Sequence, residues 1–115
     1  MKRLLAFILL LLLSASCANK SNNKYKPSLT EQEMISILSD IQILEADLTL
    51  RKTNQQDITG LPQQYYDQLF EHYGITDSIF SENLKYYTEH PNDLERLMDS
   101  VIQRLTREQA TFSTQ

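Results

Sequence analysis

The one cysteine of the chain, Cys17, stands where a thiol would be put to a particular use. It closes the run MKRLLAFILLLLLSASC, in which Lys2 and Arg3 are followed by ten apolar residues, Leu4 to Leu13, and then by the small residues Ser14, Ala15 and Ser16. Positive charge, a short apolar stretch and small residues, in that order, are the marks of an export signal. The apolar run is shorter than the ~20 residues a bilayer-spanning helix needs. Cleavage between Ser16 and Cys17 would leave the cysteine as a new N-terminus, and its sulfur is the atom that takes a diacylglyceryl group as a thioether. The run resembles a bacterial lipobox, with Ser14 where that pattern prefers Leu. A lone Cys has no partner for an intramolecular disulfide in an exported chain. The expectation is therefore lipidation at Cys17, with several acyl chains (palmitate among them) giving the stable membrane hold that one chain alone does not.

Other residues that could do chemistry are few. His72 and His90 are the only histidines and have no partner at H-x-x-x-H spacing, so neither a metal nor any other cofactor is expected. Asp40, Glu45 and Asp47 are acidic neighbours on one helix, with Asp40 and Asp47 a heptad apart, which reads as ordinary helix surface. No nucleophile elbow, phosphate-cradling glycine loop or Ser–His–Asp order is present, so no catalytic residue is assigned and the chain is not expected to be an enzyme. Glu71-His72 reads as an exposed dipeptide, and His90 is placed to cap the last helix. The six tyrosines and four phenylalanines fall mostly between residues 65 and 87 at helical spacing, which is more often core than a stacking site. Tyr65, Tyr66 and Tyr86 are the candidates for an exposed interaction surface. Tyr86 and Tyr87 are adjacent and cannot share one helix face.

Charge divides the chain. Between Cys17 and Ser28 there are three lysines and no acid, whereas all fifteen acidic side chains lie from Glu31 to Glu108 against six basic ones, a net charge of −9. Such a body does not suit nucleic acid, which needs a basic patch. The bland reading is a solvated surface, and the sharper one is a basic protein partner.

The elements that hold these residues are helical. Glycine occurs only at Gly60 and Gly74, and the long segments are rich in Leu, Ile, Glu and Gln. Residues 17–28 read as a polar, flexible tether. Thr30 and Glu33 form a T-x-x-E capping box with Leu29 and Met34 as its hydrophobic staple. The first helix then runs to about Arg51, with Met34, Ile37, Leu38, Ile41, Leu44 and Leu48 on one face and Ile35, Ile43 and Leu50 widening the buried stripe. A polar connection leads to Pro62, which suits the first turn of a second helix carrying Tyr65, Tyr66, Leu69, Phe70 and Tyr73. Gly74 is placed for a left-handed cap with Ile75 folding back, and Thr76 for the next N-cap. Ile79, Phe80, Leu84 and Tyr87 face inward from a third helix ending near Glu89, before the break at His90-Pro91. The fourth presents Leu94, Leu97, Met98, Val101, Ile102 and Leu105 and weakens after about Gln109. The fold class expected is all-α, a small up-and-down bundle of about four helices. Its organisation is a signal over 1–16, a lipidated tether over 17–28, a helical domain over 29–110 and a frayed tail over 111–115.

Laid out this way, the chain resembles domain-of-unknown-function family 4296, small Bacteroidetes proteins of lipoprotein type. The residues that carry the resemblance are Lys26-Pro27, EMISILSDIQILEA (33–46), YYDQLFEHYGIT (65–76), the run from Phe80 to Tyr87, and Pro91 leading into LERLMDSVIQRL (94–105). It implies a lipid-tethered helical domain and brings no biochemical role. Phe70 to Thr76 (F-x-x-Y-G-I-T) is also similar to helical segments of periplasmic chaperones that escort outer-membrane proteins. Ala18 after the cysteine favours the outer membrane, and no acidic surface-export cluster follows it, so a periplasm-facing position is expected. The leading expectation is a non-enzymatic interaction or envelope-assembly module, held to the membrane through Cys17 and bound to an envelope protein. A periplasmic chaperone-like factor is the alternative. An envelope hydrolase or small-ligand protein using His72 or His90 is the third.

Overall fold

A computed structural model describes residues 27–114, which form four α-helices and, among those residues, no strand. Cys17, the Ser16–Cys17 junction and most of the tether lie outside the described residues. The helices are α1 (Glu31–Thr53), α2 (Leu61–Tyr73), α3 (Asp77–Glu89) and α4 (Pro91–Ser113). The all-α bundle expected from the sequence is the architecture found.

The local signals act as their chemistry requires. Thr30 Oγ1 accepts from the Glu33 N–H at 3.1 Å, and the Thr30 N–H donates to Glu33 Oε2 at 2.7 Å, closing the capping box of α1. The Thr30 N–H and, at 2.9 Å, the Thr30 hydroxyl both donate to Glu33 Oε2 and hold that carboxyl below its ordinary range. Gly74 takes φ 65° at the end of α2, and the Ile75 N–H reaches back to the Phe70 carbonyl at 3.0 Å. Glycine adopts this left-handed φ without the local strain that an L side chain would bring. Thr76 then caps α3 by accepting from the Ile79 N–H. The same geometry ends α1 without glycine. Gln55 sits at φ 57° while the Gln56 N–H bonds the Arg51 carbonyl at 3.0 Å.

Pairing between helices fixes their directions. Asp47 meets Tyr65 and Asp40 meets Tyr73, so α2 runs antiparallel to α1. Phe80 of α3 lies 5.3 Å from Phe70 of α2, centroid to centroid, and Asn83 further on reaches Ser28 and Leu29. Helix α3 thus continues α2's descent toward the start of α1. Glu31 meets Arg96 and Ser36 meets Arg104, so α4 turns back and runs in the same direction as α1. The bundle is two long helices side by side with two short ones in tandem against them.

The core is Met34, Ile35, Ile37, Leu38, Ile41, Phe70, Phe80, Tyr87, Leu97 and Val101, with Leu29, Leu69, Leu84, Leu94, Met98 and Leu105 packed on it. Periodicity places these correctly and errs at three others. Ile43 is 51 % exposed, Leu50 60 % and Ile102 58 %. Ile43 and Leu50 lie beyond the reach of α3, which packs beside the first half of α1, whereas Ile102 sits near the level of Ser36 and is exposed on α4. Helix α4 also outlasts its expected end. It is helical to Ser113, where the hydroxyls of Thr111, Ser113 and Thr114 bond carbonyls three or four residues back, so residues 111–113 are helix and not a frayed tail.

Candidate functional site

The ionisable side chains singled out by the sequence are used to join helices. On the α1–α2 seam three tyrosines of α2 donate to three carboxylates of α1. Tyr65 donates to Asp47 Oδ2 at 2.9 Å, Tyr66 to Glu45 Oε1 and Tyr73 to Asp40 Oδ2. Arg51 Nε adds a 2.7 Å bond to the same Asp47 oxygen, and the guanidinium and the tyrosine together hold the Asp47 carboxyl below its usual range. Desolvation, reinforced by the carboxylate partner, pushes the Tyr66 and Tyr73 hydroxyls up to about 12. The acidic trio is thus a row of acceptors facing a row of hydroxyls, not a cluster of carboxylates converging on a ligand.

Tyr86 stands elsewhere. It donates to Asp93 Oδ2 at 3.0 Å, meets the ring of Tyr87 edge-on at 5.2 Å, and stacks on His90 at 4.1 Å. It lines a concavity with Pro27, Leu29, Glu31, Tyr87 and Arg96, whereas Tyr65 lines another with Asp40, Ile43 and Leu69. The candidate trio Tyr65, Tyr66 and Tyr86 therefore does not share one surface. Tyr66 turns toward the core, with its ring 6.0 Å from Phe70. Of Tyr86 and Tyr87, the second is the buried one, at 4 % exposure.

The histidines are apart as well. His72 is exposed and touches Tyr73 edge-on. His90 leaves the N-terminus of α4 without a side-chain cap. Its Nδ1 instead lies 2.6 Å from the Tyr86 carbonyl, which can only accept, so that nitrogen carries the proton and His90 caps the end of α3. Among the described residues no group of three or more His, Cys, Asp or Glu is placed to hold a metal ion, and no helix is long and apolar enough to cross a membrane.

Two features escaped the sequence reading. Asn83 is fully buried. Its Oδ1 accepts from the Leu29 N–H at 2.9 Å, and its Nδ2 donates to Ser28 Oγ at 3.0 Å and to the Ile79 carbonyl at 2.7 Å. It straps the incoming chain onto α3, so Ser28 belongs to the domain and not to the tether. Its signal was available, since 80, 83 and 87 lie on one face of a helix. The second is a groove of about 560 Å³ between the second halves of α1 and α4, lined by Ile43, Ala46, Leu105 and Phe112 with Gln42 and Gln109 at its edge. Phe112 is 79 % exposed, although it continues the stripe of Val101 and Leu105.

Four helices, a capped and strapped N-terminus and a tyrosine–carboxylate seam define a small all-α domain. The family model described as Domain of unknown function (DUF4296) matches residues 12–111, nearly the whole chain, and the protein belongs to that family. No curated protein and no solved structure matches it.

Proposed function

We propose that this protein is a lipid-tethered envelope protein, facing the periplasm from the outer membrane, whose helical domain binds a protein partner and catalyses nothing. The observation that carries the reading is the signal-like run ending at the lone Cys17, followed by a polar stretch of basic character. The domain is compatible with it in two ways. The chain enters at Pro27–Leu29, where Asn83 holds it, so a pull on the tether is taken by the bundle through part-buried hydrogen bonds. The carboxylates that would be the first candidates for acid–base work, Asp40, Glu45, Asp47 and Asp93, each accept a tyrosine hydroxyl from a neighbouring helix. The net negative charge of the body favours a basic partner surface over nucleic acid.

Intact mass and membrane fractionation of the wild type against Cys17→Ala test the anchor. Loss of the signal, gain of acyl mass and release of the variant from membranes are expected. A wild type without acyl mass, fractionating like the variant, ends the anchor reading. Crosslinking in intact envelopes tests the partner, with one reproducible envelope protein expected beside the bait. The exposed Ile43, Leu50, Ile102 and Phe112 favour a second reading, a chaperone-like factor for outer-membrane proteins. It requires that stoichiometric protein suppress the aggregation of an unfolded outer-membrane barrel, and no suppression removes it.

A further inference from the structure

We infer that the groove between α1 and α2 is the docking site for a partner helix that carries two basic side chains seven residues apart with an apolar one between them. The inference rests on the binding role proposed above and names the surface and the chemistry of what it takes. The groove holds about 370 Å³, with Asp40, Ile43 and Asp47 on its α1 wall and Tyr65, Gln68 and Leu69 on its α2 wall. Leu50, exposed like Ile43, continues the α1 stripe. Acidic and apolar residues therefore alternate along α1 at 40, 43, 47 and 50, all on one side of the helix. A third helix laid along this stripe sets its own anchors at i, i+3 or i+4, and i+7, which are the same steps.

The charge that selects the occupant lies in the groove itself. Among the described residues no lysine or arginine lines it, whereas two carboxylates do. Helix α2 adds Asp67 and Glu71 and carries neither lysine nor arginine. Arg51, at one end, bonds Asp47 through Oδ2 at 2.7 Å, the oxygen that also accepts from Tyr65, and Asp40 Oδ2 accepts from Tyr73. In both carboxylates the other oxygen, Oδ1, has no hydrogen-bond donor among the described residues. Each is thus fixed through one oxygen and open at the other, so little freedom is lost when a cation arrives. The two stand about 10 Å apart at the helical rise, too far to share a metal ion whose oxygen ligands lie at about 2.5 Å. That separation matches two ammonium or guanidinium groups seven residues apart on a second helix. A second copy docking face to face would set these carboxylates against their own equivalents, and an anionic lipid surface meets the same repulsion. A basic helix is the occupant that local charge attracts.

The test uses the full-length protein in detergent micelles. The probe is a synthetic helix of about 18 residues with two lysines seven residues apart and a leucine between them on the same face. Binding is read by fluorescence anisotropy and mapped by amide chemical shifts. Micromolar binding is expected, with shifts at Asp40, Ile43, Asp47 and Gln68, weakening as salt is raised. The same peptide with glutamine in place of both lysines should bind about tenfold more weakly. Asp40→Asn keeps an acceptor for Tyr73 and removes the charge, and should cost about tenfold. Gln68→Arg puts a base into the groove from an exposed position and should cost as much, while its thermal melt stays close to wild type. Phe112→Asp, in the groove between α1 and α4, should leave binding unchanged. Binding that survives both Asp40→Asn and Gln68→Arg, or that Phe112→Asp abolishes, overturns the assignment. A wild-type dimer in sedimentation that Ile43→Asp dissolves would give the groove to a second copy. Phosphatidylglycerol vesicle binding lost in the same variant would give it to lipid. Tighter peptide binding after Lys20, Lys24 and Lys26 are all changed to glutamine would give it to the chain's own basic stretch. Each of these three results also overturns the inference. If the envelope partner is still captured by the Gln68→Arg variant, the docking site is wrong while the tethered-binder reading stands, and a wild type that captures none ends both.

Discussion

Along α1, the stretch from Met34 to Ile41 and the stretch from Gln42 to Thr53 carry apolar residues at similar spacing, yet they meet different surroundings. In the first, Met34, Ile35, Ile37, Leu38, Ser39 and Ile41 are all buried, on a wide arc of the helix. In the second only Leu48 is, while Ile43 and Leu50 face water. The difference is one of neighbours. The first stretch lies at the level where the end of α2, the start of α3 and α4 come together around it. The second has α2 on one side and the open groove toward α4 on another. Burial along a single helix is thus decided by how far its neighbours extend, and amphipathic pattern alone does not report it. What the helix does with the excess apolar residues differs accordingly, as core in one half and as accessible surface in the other.

Substitutions can break this contrast. The largest effect is expected at Leu97, fully buried against the enclosed half, where Leu97→Ala should cost about 3 kcal/mol, within the usual 2–5 for such a deletion. Ile102→Ala, five residues further on but exposed, should stay within about 0.5 kcal/mol. Equal losses for the two in urea melts would mean that the exposed face of α4 is covered in solution. Next comes Asn83→Ala, which leaves the Leu29 N–H without its partner in a partly buried place and should cost about 1–3 kcal/mol. Hydrogen exchange should quicken at Leu29 and leave the second half of α1 unchanged. Exchange quickening evenly along α1 would count against a local strap.

The α1–α2 seam, which runs from Asp40 in the enclosed half to Asp47 in the open one, sharpens the comparison through its tyrosines. Tyr66 and Tyr73 are pushed up to about 12, first by desolvation and then by the Glu45 and Asp40 carboxylates. A folded value above the unfolded one, near 10, means that the stabilisation is complete below pH ~10 and is lost as pH rises from there toward 12. Alkaline difference spectra should show two hydroxyls titrating late, and Tyr73→Phe should remove one of them at a cost of about 1 kcal/mol. A single tyrosine step near the ordinary value would show that the seam does not form. The smallest effect is a gain. Gln55 holds a left-handed φ of 57° at the end of α1, and Gln55→Gly should relieve it for about 0.5–1 kcal/mol of added stability. A lower melting temperature in that variant would show that the Gln55 side chain matters more than its backbone.

Much of the fold was legible because its punctuation is local. The T-x-x-E box, Gly74 with Ile75, Thr76 and His90-Pro91 each act within six residues of chain, and all four mark helix ends where expected. Less of the site was. Tyr65, Tyr66 and Tyr86 read as one surface because a sequence says nothing of which carboxylate a hydroxyl will find. Two of them join α1 to α2 and the third joins α3 to α4. His90 sits between two helix ends, and nothing in its type told which one it would cap.

By itself the sequence determined that this chain is helical, where its helices begin and break, and that its body is acidic, since capping, glycine conformation and formal charge depend on residues and their immediate neighbours. Only the tertiary structure decided that α2 and α3 descend in tandem, that α4 runs alongside α1, that Asn83 straps the entering chain and that Ile43 and Phe112 stay in water. Those outcomes depend on contacts between residues tens of positions apart, such as Leu29 with Asn83 and Ser36 with Arg104, whose pairing no local pattern encodes.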